Sequence, residues 1–324
     1  MKTHFIRDLK PNQVIESFFL VHSKEVRSKK TGEEYLVLML ADRTGTIEAM
    51  LWDGVPKLRD AFDRDDFVKV KGLVQVHRNR QQMIVHTLER VEESRVDLAD
   101  YLPHTEKNIA SMWAELRAAV AAMANPHLRA LVDSFLDDEQ VAPLYRCAPA
   151  AKSLHHARIG GLLEHVVSLI GLCRLTAGHY PFLDHDLLLT GAVLHDLGKI
   201  WELDYRRSFG YSTAGQLIGH MNIMTGLLQS KAAALPGFPP RLKVLVEHMI
   251  LSHHGRLEFG SPKLPMFPEA LVFHYLDDLD SKVESMRATL ASDPNIEGCW
   301  TGFNASLERP LLRKERFLAD GGDD

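Results

Sequence analysis

Five short segments of the 324-residue chain carry side chains that can hold a metal ion. His195 and Asp196 stand together in Leu194-His195-Asp196-Leu197-Gly198-Lys199. His165 ends Gly161-Leu162-Leu163-Glu164-His165, and His220 follows Gly219. His253 and His254 lie between Ser252 and Gly255, and Asp277 and Asp280 fall in Tyr275-Leu276-Asp277-Asp278-Leu279-Asp280. Imidazole with carboxylate is the donor mixture that suits manganese, iron or zinc at a hydrolytic centre. A lone inward histidine is ordinarily a hydrogen-bonded core residue, and His248 and His274 read that way; His155, His156, His179 and His185 read as surface residues. Five separate helices each presenting a ligand type inward, or at a helix end, need a common explanation.

Spacing predicts the helices that position these groups. Leu162, Val166 and Leu169 form a stripe that His165 shares, and His220 shares one with Leu217, Met224 and Leu227. His195 and Asp196 end a helix over 187–197 that Gly198 stops. His253 and His254 end one running from Arg241 that Gly255 caps. Asp277 lies on the apolar face of a helix over 269–286, where an ionised carboxylate is costly unless paired or metal-bound. Glu164 reads as an exposed helical residue. Asn125-Pro126 separates two further helices, over 109–124 and up to Leu136.

The chain before these helices reads as strands. Residues 13–22, 35–40, 46–52, 67–76 and 83–88 alternate or run apolar, with a hairpin signal at Asp42-Arg43-Thr44-Gly45 and a short helix over 55–62. Five strands with a helix between the third and fourth is the order of an OB-fold barrel, which binds oligonucleotides across strands 2–3 and through two flanking loops. Basic residues gather in those loops: Lys24, Arg27, Lys29 and Lys30 in one, His77, Arg78 and Arg80 in the other. Tyr35 and Trp52 lie on the strand 2–3 region and could stack on bases. The expected nucleic-acid contacts are therefore Lys29, Lys30, Tyr35, Trp52, Arg78 and Arg80.

The fold expected is a multidomain α+β chain: a five-stranded OB-fold barrel over 1–92, a connector over 93–108, an all-α domain over 109–318 and a frayed tail over 319–324. A hydrophobic content of 45% gives an ordinary globular core, and the net charge of -5 excludes histone-like attraction to nucleic acid. Residues 1–92 nonetheless hold 16 Lys and Arg against 14 Asp and Glu, so the basic bias lies in the barrel. Three scattered cysteines, Cys147, Cys173 and Cys299, fit neither a disulfide framework nor a cysteine zinc site, which points to the cytoplasm. No signal core and no run long enough to cross a bilayer are read in the sequence.

The ordered set resembles the HD-domain superfamily of metal-dependent phosphohydrolases, with its first His, His-Asp doublet and distal Asp. More closely, it is similar to the YhaM family of 3'-to-5' exoribonucleases. The runs that carry this are Asp42–Ala49 with Leu51-Trp52-Asp53, His155-His156 before Gly160-Gly161-Leu162, Leu194–Lys199, Gly219-His220, Leu251–Gly255 with Gly260-Ser261-Pro262-Lys263, and His274–Lys282. The resemblance implies His165, His195, Asp196 and Asp277 as core metal ligands, with Asp280 the rival to Asp277. It implies His220, His253 and His254 as ligands of a second ion, and His195, Asp196 and Lys199 as catalytic, Lys199 by contacting phosphate. Manganese is the family expectation, as one or two ions; iron, cobalt and zinc also suit the donors. The expected partner is single-stranded RNA, with DNA and a homo-oligomer left open. Two other readings stand beside this one: a phosphohydrolase of a nucleotide or signalling dinucleotide with a regulatory barrel, and a non-enzymatic single-strand binder.

Overall fold

The structure is a computed structural model that describes residues 2–152, 156–293, 295 and 297–319. His155 and residues 320–324 of the expected tail lie outside the described residues. The chain divides into two compact units, Met1–Pro103 with Met286–Asp324, and His104–Ser285.

The first unit holds five strands, β1 (Val14–Ser28), β2 (Glu34–Asp42), β3 (Gly45–Leu51), β4 (Phe67–His77) and β5 (Arg80–Val91), closed in the order β1-β2-β3-β5-β4. Closure needs β1 to serve two neighbours. Its first half pairs with β4 and its second with β2, and a register shift between Val21 and Ser23 marks the bend. Inward residues such as Phe19, Leu36, Leu38, Leu40, Val70 and Met83 are fully buried and fill the barrel. The helix between strands 3 and 4, α1 (Val55–Leu58), is shorter than the 55–62 expected.

Two sequence expectations fail here for stated reasons. Because β1 runs on to Ser28, Lys24 and Arg27 are strand residues. The Lys24 ammonium donates to the carbonyls of Arg59 and Phe62 and pairs with Asp63, while Arg27 pairs with Glu25 at 2.6 Å. Residues 286–318, read as the end of the helical domain, group with the barrel instead: Asn79 and Arg80, at the β4–β5 turn, bond to Glu297 and Asn295.

The second unit is helical: α2 (Ile109–Ala121), α3 (Pro126–Leu136), α4 (Val141–Cys147), α5 (Gly161–His179), α6 (His185–Leu194), α7 (Lys199–Glu202), α8 (Thr213–Ile218), α9 (His220–Ala234), α10 (Pro240–Ser252) and α11 (Pro268–Ser292), with a two-residue ribbon β6 (Leu203–Asp204) and β7 (Gly210–Tyr211). A last helix, α12 (Lys314–Ala319), follows in the C-terminal segment. Side-chain caps open three of the helices: Asn108 opens α2, Asn125 opens α3 ahead of Pro126, and Asp184 opens α6, which begins two residues before the 187 expected and ends at Leu194 rather than 197. By length and composition α5 is apolar enough to cross a membrane, contrary to the sequence reading, but half of its window is buried in the protein and it carries His165. Its apolarity serves the core.

Candidate metal centre

Each expected ligand sits where a helix begins, ends or faces the core. His165 lies on α5, and His195 and Asp196 follow the last residue of α6. His220 is the first residue of α9 rather than part of an apolar stripe with Leu217, which is 81% exposed. His253 and His254 follow α10, and Asp277 and Asp280 lie on α11. Gly198 is where it is because its chain passes the His220 backbone; a Cβ there would stand 2.2 Å from the His220 carbonyl oxygen. Gly255 combines a φ of +72° with the His274 ring directly over its Cα.

The side chains converge in two lobes that meet at Asp196. In one, His165 Nε2 is 3.1 Å from Asp277 Oδ1, and His195 Nε2 is 3.8 Å from the same oxygen. In the other, donor atoms of His220, His253 and His254 lie within 4.8 Å of one another. Asp196 turns Oδ2 toward His195 Nε2 at 3.3 Å and Oδ1 toward His220 Nε2 at 3.4 Å and His253 Nε2 at 3.7 Å.

A second layer fixes the rings. Nδ1–H of His165 donates to Asp280 at 2.7 Å, that of His220 to Glu202 at 3.1 Å, that of His253 to the Ile250 carbonyl at 2.7 Å, and that of His254 to the Phe259 carbonyl at 2.9 Å. His195 Nδ1–H lies 3.2 Å from the carbonyls of Gly191 and Ala192. Every ring therefore keeps Nε2 for the interior. Asp277 faces the cluster, whereas Asp280 stands behind His165, also accepting from Ser168 and lying 3.3 Å from His156 Nε2.

The residues fit a cation. His195 Nε2, His220 Nε2, His253 Nε2 and Asp196 Oδ1 are buried and have no hydrogen-bond partner among the described residues. Each such orphan costs about 1–3 kcal/mol, a penalty a bound divalent ion removes. Burial pushes His253 and His254 below the ordinary histidine range, helped by His254 and His220 respectively, so both rings are neutral at pH 7. Burial would raise Asp196, but Lys199, His195 and His220 hold it well below the usual carboxylate range. Burial would lower His165, but Asp277 and Asp280 override it and raise it to about 9. The Lys199 ammonium lies 2.6 Å from Asp196 Oδ2, and Asp196 keeps it charged against the effect of burial.

Several participants escape a reading of the sequence. Glu202 is buried and receives both the backbone N–H and Nδ1–H of His220. Glu164 is not an exposed helical residue: it is 6% exposed, and it accepts from Thr105 at 2.7 Å and Arg158 at 2.8 Å. His156 is buried rather than on the surface. Arg158 also pairs with Glu284 at 2.8 Å. Lys199 and Glu202, three apart on one helical turn after the doublet, carried the one periodic signal available.

On the barrel, Tyr35 and Trp52 stack on each other, with ring centroids 4.6 Å apart and planes 22° from parallel. Lys29 lies over the Trp52 ring at 5.7 Å while pairing with Glu33, and Lys30 and Arg78 are exposed. Arg80 is occupied: its Nε donates to Asn295.

Residues 21–91 match the family described as OB-fold nucleic acid binding domain, and residues 162–282 match the HD domain. The 3'-5' exoribonuclease YhaM of Geobacillus sp. (strain WCH70) is 35% identical over 312 residues, covering 95% of both chains. That of Bacillus subtilis (strain 168) is 36% identical over 304 residues, covering 93% of this chain and 96% of the relative. With both domains in that order and relatives matched over nearly their full length, the chain belongs to the YhaM family of 3'-5' exoribonucleases.

Proposed function

We propose that this protein is a metal-dependent 3'-to-5' exonuclease of single-stranded RNA, the barrel holding the strand and the helical domain hydrolysing its terminal phosphodiester. The observation that carries the reading is the set of buried donor atoms left without hydrogen bonds around Asp196. His165, His195, Asp196 and Asp277 would hold one ion, and His220, His253 and His254 a second. Bound there, divalent ions supply Lewis acidity, activating water and neutralising phosphate charge. Nitrogen and oxygen donors without a thiolate suit manganese.

The protein's own groups do the rest. Asp280, Glu202 and the carbonyls of Ile250 and Phe259 fix Nδ1–H of His165, His220, His253 and His254, so each of these rings turns Nε2 inward and little reorganisation accompanies turnover. Lys199, kept charged by its pair with Asp196, would stabilise charge as it develops on the phosphate. Tyr35 and Trp52 offer a stacking surface, and Lys29, Lys30 and Arg78 offer phosphate contacts.

The test uses protein purified without chelator and RNA labelled at either end. The 3' label should be released first, and hydrolysis should vanish in Asp196→Ala or after chelation. Full activity in that variant would remove this centre. Turnover of mononucleotides in preference to oligonucleotides would favour the nucleotide-phosphohydrolase reading.

A further inference from the structure

We propose that the C-terminal hairpin over 299–313 is a further RNA-binding element of the barrel, stacking single-stranded bases on Trp300 and Phe303. The inference rests on the nuclease reading above.

The hairpin is built, not draped. Thr301 N–H donates to the Leu311 carbonyl at 2.9 Å, Asn304 and Arg309 exchange backbone bonds, and Arg313 N–H closes on the Cys299 carbonyl at 2.7 Å. Leu311, Thr301 and Arg313 form a buried root, where the Arg313 guanidinium pairs with Asp293 at 2.7 Å.

That root is fastened beside the β4–β5 turn. Arg78 and Asn79 there have φ values of 48° and 63°, the left-handed geometry of a tight two-residue hairpin. Asn79 gives a bond to the Glu297 carbonyl at 3.0 Å and takes one from its N–H at 2.8 Å. Arg80 pairs in β fashion with Asn295, donates Nε to its side chain at 3.2 Å, and runs so close to Gly302 that a Cβ there would meet Nη2 at 3.0 Å. Arg80 thus clasps the hairpin.

This turn is one of the two loops through which OB barrels meet single strands. The hairpin fixed to it presents Trp300 at 54% exposure and Phe303 at 71%. Two exposed aromatics on an anchored element offer faces for bases, and Arg78 in the turn and Arg309 in the hairpin are exposed as well. Exposed aromatics and guanidinium groups on the turn and the hairpin fastened to it suit a polyanion with π-faces, where an apolar protein partner would leave the charges unmet.

The experiment uses the full chain. Binding of a fluorescent single-stranded RNA of about 20 nucleotides is followed by anisotropy in the Asp196→Ala background, where RNA stays intact. Removing one stacking ring should weaken binding about tenfold, so Trp300→Ala and Phe303→Ala should each show it, and Trp300→Phe should recover most of the loss. In the active protein the loss should fall on KM for RNA rather than on kcat, with the thermal midpoint unmoved. Unchanged RNA affinity in both alanine variants, while the parent degrades RNA, overturns this inference alone. So does an affinity loss that appears only with a changed oligomeric mass by light scattering, which would make the hairpin an interface between copies. A parent that neither binds nor degrades RNA overturns the nuclease reading and this inference with it.

Discussion

Asp196 is the residue on which the two lobes meet, but Asp280 is the more informative one to change. It stands behind His165 and acts by holding its Nδ1–H at 2.7 Å. Asp280→Asn should lower metal affinity about 10–100-fold, as loss of a carboxylate behind a ligating histidine does, and excess metal should restore activity. Activity that stays lost at saturating metal would assign Asp280 another role. His165 carries a second prediction. With its value raised to about 9 from 6.5, the protonated, paired ring stabilises the metal-free protein fully below about 6.5, and that contribution is lost as pH rises through about 9. A cation bound between His165 and Asp277 must displace that proton. Calorimetry in buffers of different ionisation enthalpy should therefore show about one proton released from this site at pH 7.5, falling to none above pH 9. Metal uptake with no proton release at neutral pH would sink this account.

Helix ends account for most of what could be read from the sequence. A histidine pair before Gly255, a doublet before Gly198 and a histidine after Gly219 place candidate ligands at points where backbone stops and starts, and glycine marks those points. Local sequence also gave the barrel strands, because alternation and turn residues are nearest-neighbour signals. The surrounding support was not legible. Glu202 and Glu284 have the spacing of ordinary solvent-facing helical residues, and only tertiary packing buries them, Glu284 against Arg158 from the loop before α5. Leu217 failed in the other direction, an apolar residue at stripe spacing that the break at Gly219 leaves exposed. Gly198 offers a test at this scale. Its φ of -57° is ordinary, so conformational freedom is not the reason for glycine; close approach of α7 to α9 is. Gly198→Ala should cost about 1–3 kcal/mol by overpacking and reduce metal content, read by thermal unfolding and elemental analysis. A variant as stable and as fully loaded as the parent would show that the two helices can part without consequence.

Across the whole molecule, binding and chemistry are assigned to different units, which predicts that they separate in measurement. Arg78 and Arg80 looked equivalent in the sequence, two arginines of one basic turn. The structure gives them different work: Arg78 is exposed at the tip, while Arg80 is bonded to Asn295. A free surface cation that neutralises a phosphate contributes about one unit to the salt dependence of binding, and its removal weakens all sequences alike. Arg78→Ala should therefore lower RNA affinity and reduce the slope of log affinity against log salt by about one, with the thermal midpoint unmoved. Arg80→Ala should also weaken binding, but through the loosened C-terminal hairpin, so its thermal midpoint should fall. Tyr35→Ala should weaken binding by about 1–3 kcal/mol at every salt concentration, because stacking carries no counterion term. Affinity measured from low to moderate salt on the three variants distinguishes charge, scaffold and stacking. Parallel slopes for Arg78→Ala and the parent would take the β4–β5 turn out of substrate capture and leave the Tyr35–Trp52 face as the barrel's contribution.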